Sequence, residues 1–397
     1  MSSFDVSDQE MENLKKLLFL MNIFEEDKIS SYLFDKLIEI THIYSKRAIS
    51  TEITLLFHFL FSQADNYPIF SRFLIENDAT NIILDFIHES NAQKLLSVLL
   101  FYDSSQKHVF QIVSNPQHRI GELLDAISPN NAVLILSSLA HYGEEGFISC
   151  QGTLSRLLDN FSTDIIHTYF PALRSFISYS DSAARFIFSH DGFLKLVNEF
   201  IQSDSEYLYC IIALFSDFFY QKTSLPTPIS FDLVSQLILK SIFSEDINQM
   251  KASSQLIHDS IHLLPDLPLF LIENEVDQKL FSAISEDYPF QLKSAALSAL
   301  CSMFSNSHHH IDHYLQNYFI ELLINNIEIM FQSIPEDISQ ALLAALQFSS
   351  NTNDIIDIVF NSEIPIVLHK YMLENSANNQ PYQTILQILA YENETNT

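Results

Sequence analysis

The chain has 397 residues, 47% of them apolar, with only 5 glycines and 12 prolines. That composition supplies a large core and argues against both intrinsic disorder and a turn-rich all-β design. Lys and Arg number 20 against 49 Asp and Glu, a formal net charge of −29, which argues against nucleic acid as a direct partner because phosphate contacts need clustered cations.

The first predicted element opens on a capping box, Ser7 with Glu10, followed by Met11, Leu14, Leu17, Leu18 and Met21 at helical spacing. It reads as a helix that covers the apolar end of an array. Asp5, Asp8, Glu10 and Glu12 precede Lys15 and Lys16, the wrong charge order for a secretory signal. Residues 30–40 read as an incomplete repeat, and 52–61 as its partner helix. Seven well-marked helices follow: Lys94–Tyr102, Ala132–Tyr142, Tyr169–Tyr179, Glu206–Tyr220, Ser254–Leu264, Leu292–Phe304 and Ile338–Phe348. Ser203 and Glu206 form a second capping box before the fourth. Pro226 and Pro228 interrupt the rhythm where a first helix is due, and read as a loop or a kink. The expected organisation is 1–47 as capping helices and partial repeat, 48–391 as a repeat array, and 392–397 as a frayed tail.

Between the marked helices one phrase recurs. Phe73-Leu74-Ile75-Glu76-Asn77 and Phe270-Leu271-Ile272-Glu273-Asn274 are near-identical, each running into an apolar stripe. Looser copies begin at Phe147, Phe186 and Ile358. The turn position falls at Ala79, Gly152, Gly192, Val276 and Ile364, with weaker copies near Arg119, Ser230 and Ile320. From 79 to 364 the mean interval is about 41 residues, the period of armadillo and HEAT repeats. The third-helix segments and the turn beginning Gly192-Phe193-Leu194 resemble armadillo repeats over about residues 48 to 391. The resemblance implies an all-α, right-handed superhelix of about eight repeats, with a groove lined by third helices and used for protein binding. Peptide-binding members carry Trp and Asn ladders on the third helix. This chain has no Trp, and Ser138, Ser216, Ser302 or Gln347 stands where an Asn would fall, which argues against recognition of nuclear-localisation signals. With most turn glycines replaced, those repeats are expected to close the first turn without a residue free to take positive φ.

Chemistry-bearing motifs are sparse. His308-His309-His310-Ile311-Asp312-His313 places His309 and His313 four apart, as a metal pair would need, but no cysteine or HExxH accompanies them and a solvated turn is the preferred reading. Gly143-Glu144-Glu145-Gly146 reads as two carboxylates on an exposed loop. No GxSxG, GxxxxGK[ST] or GxGxxG occurs. Cys150, Cys210 and Cys301 are widely spaced in apolar contexts and read as buried thiols in a reducing compartment. No apolar run reaches the roughly 18 residues of a membrane span.

These readings converge on a non-enzymatic scaffold that binds a partner segment along the third-helix groove, in the cytoplasm or nucleus, with no cofactor. Candidate partner-binding residues are Ser138, Arg174, Ser216, Ser302 and Gln347. From Ser294 onward Lys370 is the sole base among eleven acids, so the acidic excess points to a partner with a basic segment. The alternatives are a karyopherin-like or chaperone-type adaptor and, further off, an enzyme with an inter-repeat pocket.

Overall fold

The computed structural model describes most residues from Phe57 to Ile385; residues 1–56, the stretches 104–106, 115–119, 222–228, 307–318, 327–334, 376–384 and 386–397, and isolated positions between them lie outside the description. The expectations for the N-terminal cap, the Pro226–Pro228 segment, the His308–His313 cluster and the tail therefore concern residues outside it. Among the described residues the secondary structure is helical, with no strand. They divide into two compact units, 1–193 and 194–397.

In the first unit the order is α1 (Pro68–Glu76), α2 (Ala79–Asp85), α3 (Ser90–Tyr102), α4 (His108–Val113), α5 (Pro129–Ala140), α6 (Gly143–Asp159), α7 (Thr163–Tyr179) and α8 (Asp181–Ser189). The third helices α3, α5 and α7 pack in succession. α9 (Asp191–Gln202) carries the dividing line. The second unit continues with α10 (Leu208–Gln221), α11 (Phe231–Ile242), α12 (Ile247–Ser260), α13 (Leu267–Glu273), α14 (Val276–Ser285), α15 (Phe290–Asn306), α16 (Phe319–Asn325), α17 (Pro335–Phe348), α18 (Thr352–Phe360) and α19 (Ile364–Asn375). Here α10, α12, α15 and α17 are the successive third helices.

Three helices begin at the repeat's turn position: α2 at Ala79, α14 at Val276 and α19 at Ile364. α9 begins one residue before Gly192. Gly152 differs. It lies inside α6, which runs without a break through what the repeat would make two helices. A single internal glycine costs a helix only about 1 kcal/mol, too little to part a segment whose Phe147, Cys150, Leu154 and Leu158 are all buried.

Positive φ also falls elsewhere than the glycine pattern implies. Glu275 takes the left-handed conformation at φ 59 immediately before α14, and Lys107 does so at φ 61 before α4. The expectation that turns lacking glycine avoid positive φ is therefore corrected: Glu275 adopts it in just such a turn. Gly192 instead provides clearance. A Cβ there would stand 2.2 Å from the Leu158 carbonyl oxygen, so glycine is what lets the start of α9 cross the end of α6.

Local caps set several helix starts. Ser180 accepts from the Ala183 N–H to open α8, and Ser230 from the Leu233 N–H to open α11. Asp246 accepts from the Asn248 N–H and starts α12 seven residues ahead of the sequence expectation at Ser254. The capping box expected at Ser203 and Glu206 is replaced by Ser205, whose hydroxyl accepts from the Tyr207 N–H ahead of a helix beginning at Leu208. In the core, Phe176, Phe188 and Phe193 are fully buried in the first unit, and Phe215, Phe218, Phe219, Phe304 and Phe319 in the second. Each Phe or Leu withdrawn from water contributes about 1.5–3 kcal/mol.

Candidate functional site

The third helices carry the features of interest, and in the first unit they are joined by a neutral polar seam. The Asn131 side-chain amide on α5 donates to Gln93 Oε1 at 2.6 Å and to Ser90 Oγ at 2.9 Å on α3. Two turns further along, the Ser138 hydroxyl donates to the Ser97 carbonyl at 2.9 Å, and just past the helix the Tyr142 hydroxyl donates to the Leu100 carbonyl at 2.6 Å. Burial and then the neighbouring Asp103 push the Tyr142 phenol well above its ordinary pKa, so it stays a neutral donor.

The second unit has a charged seam. The Ser216 hydroxyl on α10 donates to Asp259 Oδ2 on α12. The other oxygen of Asp259 lies 2.7 Å from Nδ1 of His258. His258 Nε2 in turn lies 3.3 Å from Asp337 Oδ1 on α17, whose second oxygen accepts from the Ser298 hydroxyl on α15. Burial alone disfavours the imidazolium, but hydrogen bonds to Asp259 and Asp337, and the charges of both, override it and raise the His258 pKa to about 10.

Serine, histidine and aspartate thus meet here, yet not as a hydrolytic triad. The serine donates to the aspartate rather than to the ring, and both ring nitrogens face carboxylates. A protonated ring held at each end has no lone pair with which to accept a nucleophile's proton. Burial pushes the Cys150 thiol up to about 12, and raises Cys210 and Cys301 above their usual values, so these thiols are held protonated. Among the described residues no group of three or more His, Cys, Asp or Glu side chains is arranged to hold a metal ion.

Outside these seams, each third helix presents a stripe of exposed or half-exposed residues at spacings of three and four. On α3 it is Asn91, Lys94, Val98 and Phe101. On α5 and just beyond it is Asn130, Leu134, Ser137 and His141. On α7 it is His167, Pro171, Arg174 and Ser178, with Tyr179 beside it. The helix-end members touch across helices: the Phe101 and His141 ring centroids are 5.2 Å apart and those of His141 and Tyr179 are 4.4 Å apart. In the second unit the stripes run Lys251, Gln255, His258 on α12, Ser294, Ser298, Ser302 on α15, and Glu336, Gln340, Leu343, Gln347 on α17, so that there His258 and Ser298 belong to both the stripe and the charged seam.

The sequence candidates divide accordingly. Arg174 and Gln347 are exposed and Ser302 is half-buried, each on a stripe. Ser138 and Ser216 are buried, and their hydroxyls bond within the seams. The Gly143–Gly146 segment is corrected from a loop to the first turn of α6. There Glu145 pairs with Lys107 at 2.8 Å and Glu144 accepts from the Ser182 N–H at 3.0 Å. A cleft of about 600 Å³ in the first unit is lined by Leu124, Leu136, Leu157 and Ile165, with Arg156 and Tyr169 at its polar side. What the sequence did not reveal is the aromatic row and the His258 bridge. Their signal is recurrence at one period: Phe101, His141 and Tyr179 stand 40 and 38 residues apart, and Ser216 and Asp259 stand 43 apart.

No family model matches the sequence, and no curated protein matches it. Its fold is found among solved structures. An engineered protein from a structural genomics consortium matches 97% of this chain and 96% of its own, with a TM-score of 0.62 at 13% identity. A designed armadillo repeat protein aligns with 66% of this chain and 98% of its own, with a TM-score of 0.38 at 14% identity. With stacked third helices recurring about every 41 residues, the chain has an all-α, armadillo-like helical-repeat fold.

Proposed function

We propose that this chain is a non-enzymatic interaction scaffold, holding a segment of a partner protein along the exposed stripes of its third helices. One observation carries the reading. Successive third helices present side chains at matching helical positions, one repeat apart, over a scaffold fixed beneath by buried hydrogen bonds. Such a surface offers an extended segment a row of equivalent contacts, the arrangement repeat proteins use for binding. In this reading the contact positions are Arg174 on the first unit and Ser302 and Gln347 on the second, each taken on its own unit, while Ser138 and Ser216 join neighbouring third helices within their units. A basic element of the partner would be met off the third helices, by exposed acids such as Glu273, Glu275, Glu286 and Asp287. The buried free thiols Cys150, Cys210 and Cys301 suit a reducing cytoplasm or nucleus.

The test is photo-crosslinking from the intact chain in a native extract, at low and moderate salt. A photoreactive residue is placed at Arg174 or at Gln347, with Ile148 on α6, which is 69% exposed, as the control site. A discrete adduct from the stripe positions, absent at Ile148, is the expected result. Equal or no labelling at all three sites sinks the reading.

A further inference from the structure

We propose that the third-helix face of the first unit takes an acidic partner segment that also carries an aromatic or leucine side chain. This deepens the scaffold reading and rests on it. The whole chain has 20 Lys and Arg against 49 Asp and Glu. On α3, α5 and α7 the imbalance reverses: Lys94 and Arg174 stand against one acid, Asp164, in the first turn of α7. The stripes themselves, from Asn91 through Tyr179, contain no carboxylate.

Two acids flank the face at its edges, Glu89 before α3 and Asp181 at the start of α8, and three others nearby in the chain are engaged within the fold. Glu145 pairs with Lys107, Glu144 accepts a backbone N–H, and the Asp103 carboxylate accepts from the Val109 N–H at 2.6 Å. At physiological salt the screening length is about 8 Å. An arriving segment therefore experiences the local sign more than the charge of the whole chain. The corresponding stripes of the second unit do not share this property, since Glu336 and Asp337 lie on α17.

The apolar half of the ligand follows from the rings. Phe101 and Tyr179 are 50% and 52% exposed and flank His141. Burial lowers the His141 pKa, so the middle ring of the row is neutral at cellular pH. The three partly exposed rings meet edge-on and tilted, at interplanar angles of 80° and 50°, and form an uneven aromatic cluster against which an aromatic or leucine side chain can pack. Arg174 stands on the same helix as Tyr179, about 7.5 Å along its axis and about 140° around it, so on an extended segment a carboxylate that meets Arg174 lies several residues from the side chain that meets the rings. Neighbouring third helices lie roughly 10 Å apart, so about six extended residues cross the face.

The experiment pans a displayed library of random peptides, each of about ten residues, against the intact chain. The enriched peptides are then titrated by fluorescence anisotropy. Enrichment of peptides with net negative charge and at least one aromatic or leucine is expected. Their affinity should fall about tenfold with Arg174→Glu or Lys94→Glu, and comparably with Phe101→Ala combined with Tyr179→Ala. Circular dichroism checks that each variant keeps its helix content. Enriched peptides that are neutral or basic overturn the proposal, and if their binding depends on Gln347 the scaffold reading survives alone. Acidic peptides that bind Arg174→Glu and Lys94→Glu undiminished also overturn it. If nothing is enriched above background, both readings fall together.

Discussion

The two units solve one problem with different chemistry. Third helices must be fixed to one another at polar positions, and the first unit does this with neutral groups. Asn131 reaches Gln93 and Ser90, while Ser138 and Tyr142 each donate to a backbone carbonyl of α3. The second unit uses ions: two carboxylates clamp one imidazolium, and each carboxylate also receives a serine hydroxyl. Neutral bonds to backbone contribute about 1 kcal/mol each and are indifferent to pH. A largely buried ionic cluster contributes little over a well-packed apolar substitute, yet losing one partner is costly because the others are left under-paired in a partly buried setting. The contrast therefore lies in how each seam fails.

The largest effect is expected at Asp259. Replacing it with Ala leaves the His258 imidazolium with Asp337 alone and the buried Ser216 hydroxyl without its acceptor, at a cost of about 2–3 kcal/mol in urea denaturation. A loss under about 1 kcal/mol would place the second seam with the first. The pH dependence comes next. The pKa of His258 rises on folding from 6.5 to about 10, so its stabilisation is complete below about 6.5. It then declines as pH climbs through that window and is gone above about 10. Melting temperature should fall across that range, and His258→Gln should flatten the slope. An equal slope in that variant would assign the effect to other groups.

A smaller effect belongs to Gly146 in the first unit, where a Cβ would stand 1.9 Å from the Leu139 carbonyl oxygen. Because backbone must shift to accommodate it, Gly146→Ala should cost about 1–3 kcal/mol. A neutral result would mean that α5 and α6 slide apart freely. The smallest is Tyr142→Phe, expected to cost about 1 kcal/mol at any pH from 6 to 9. A pH-dependent cost would draw Asp103 into the seam as an ionised partner.

The helices were legible because burial imposes the apolar spacing, and the turn position at Ala79, Val276 and Ile364 starts α2, α14 and α19. Gly152 misled because a glycine permits a turn without requiring one, and the apolar face of α6 continues through it. α12 began early because one side chain, Asp246, captures its first turn, a local bond that apolar spacing does not register. The exposed candidates Arg174 and Gln347 could be placed on stripes from helical phase alone. Ser138 and Ser216 could not be told from them. A few tens of degrees of helix rotation separate an exposed serine from a buried one, and packing against the neighbouring helix sets that rotation. The same dependence hid His258, whose partner Asp337 lies 79 residues away.

That separation bears on modularity. In a simple stack each repeat communicates only with the next, so stability is a sum over adjacent pairs and units can be removed or duplicated at local cost. His258 on α12 reaches past α15 to α17, coupling next-nearest neighbours. Within this stretch the repeats are not interchangeable parts. Deleting or inserting one between α12 and α17 would separate His258 from Asp337 whatever the quality of the new junction, and the three helices should open together as a single cooperative block.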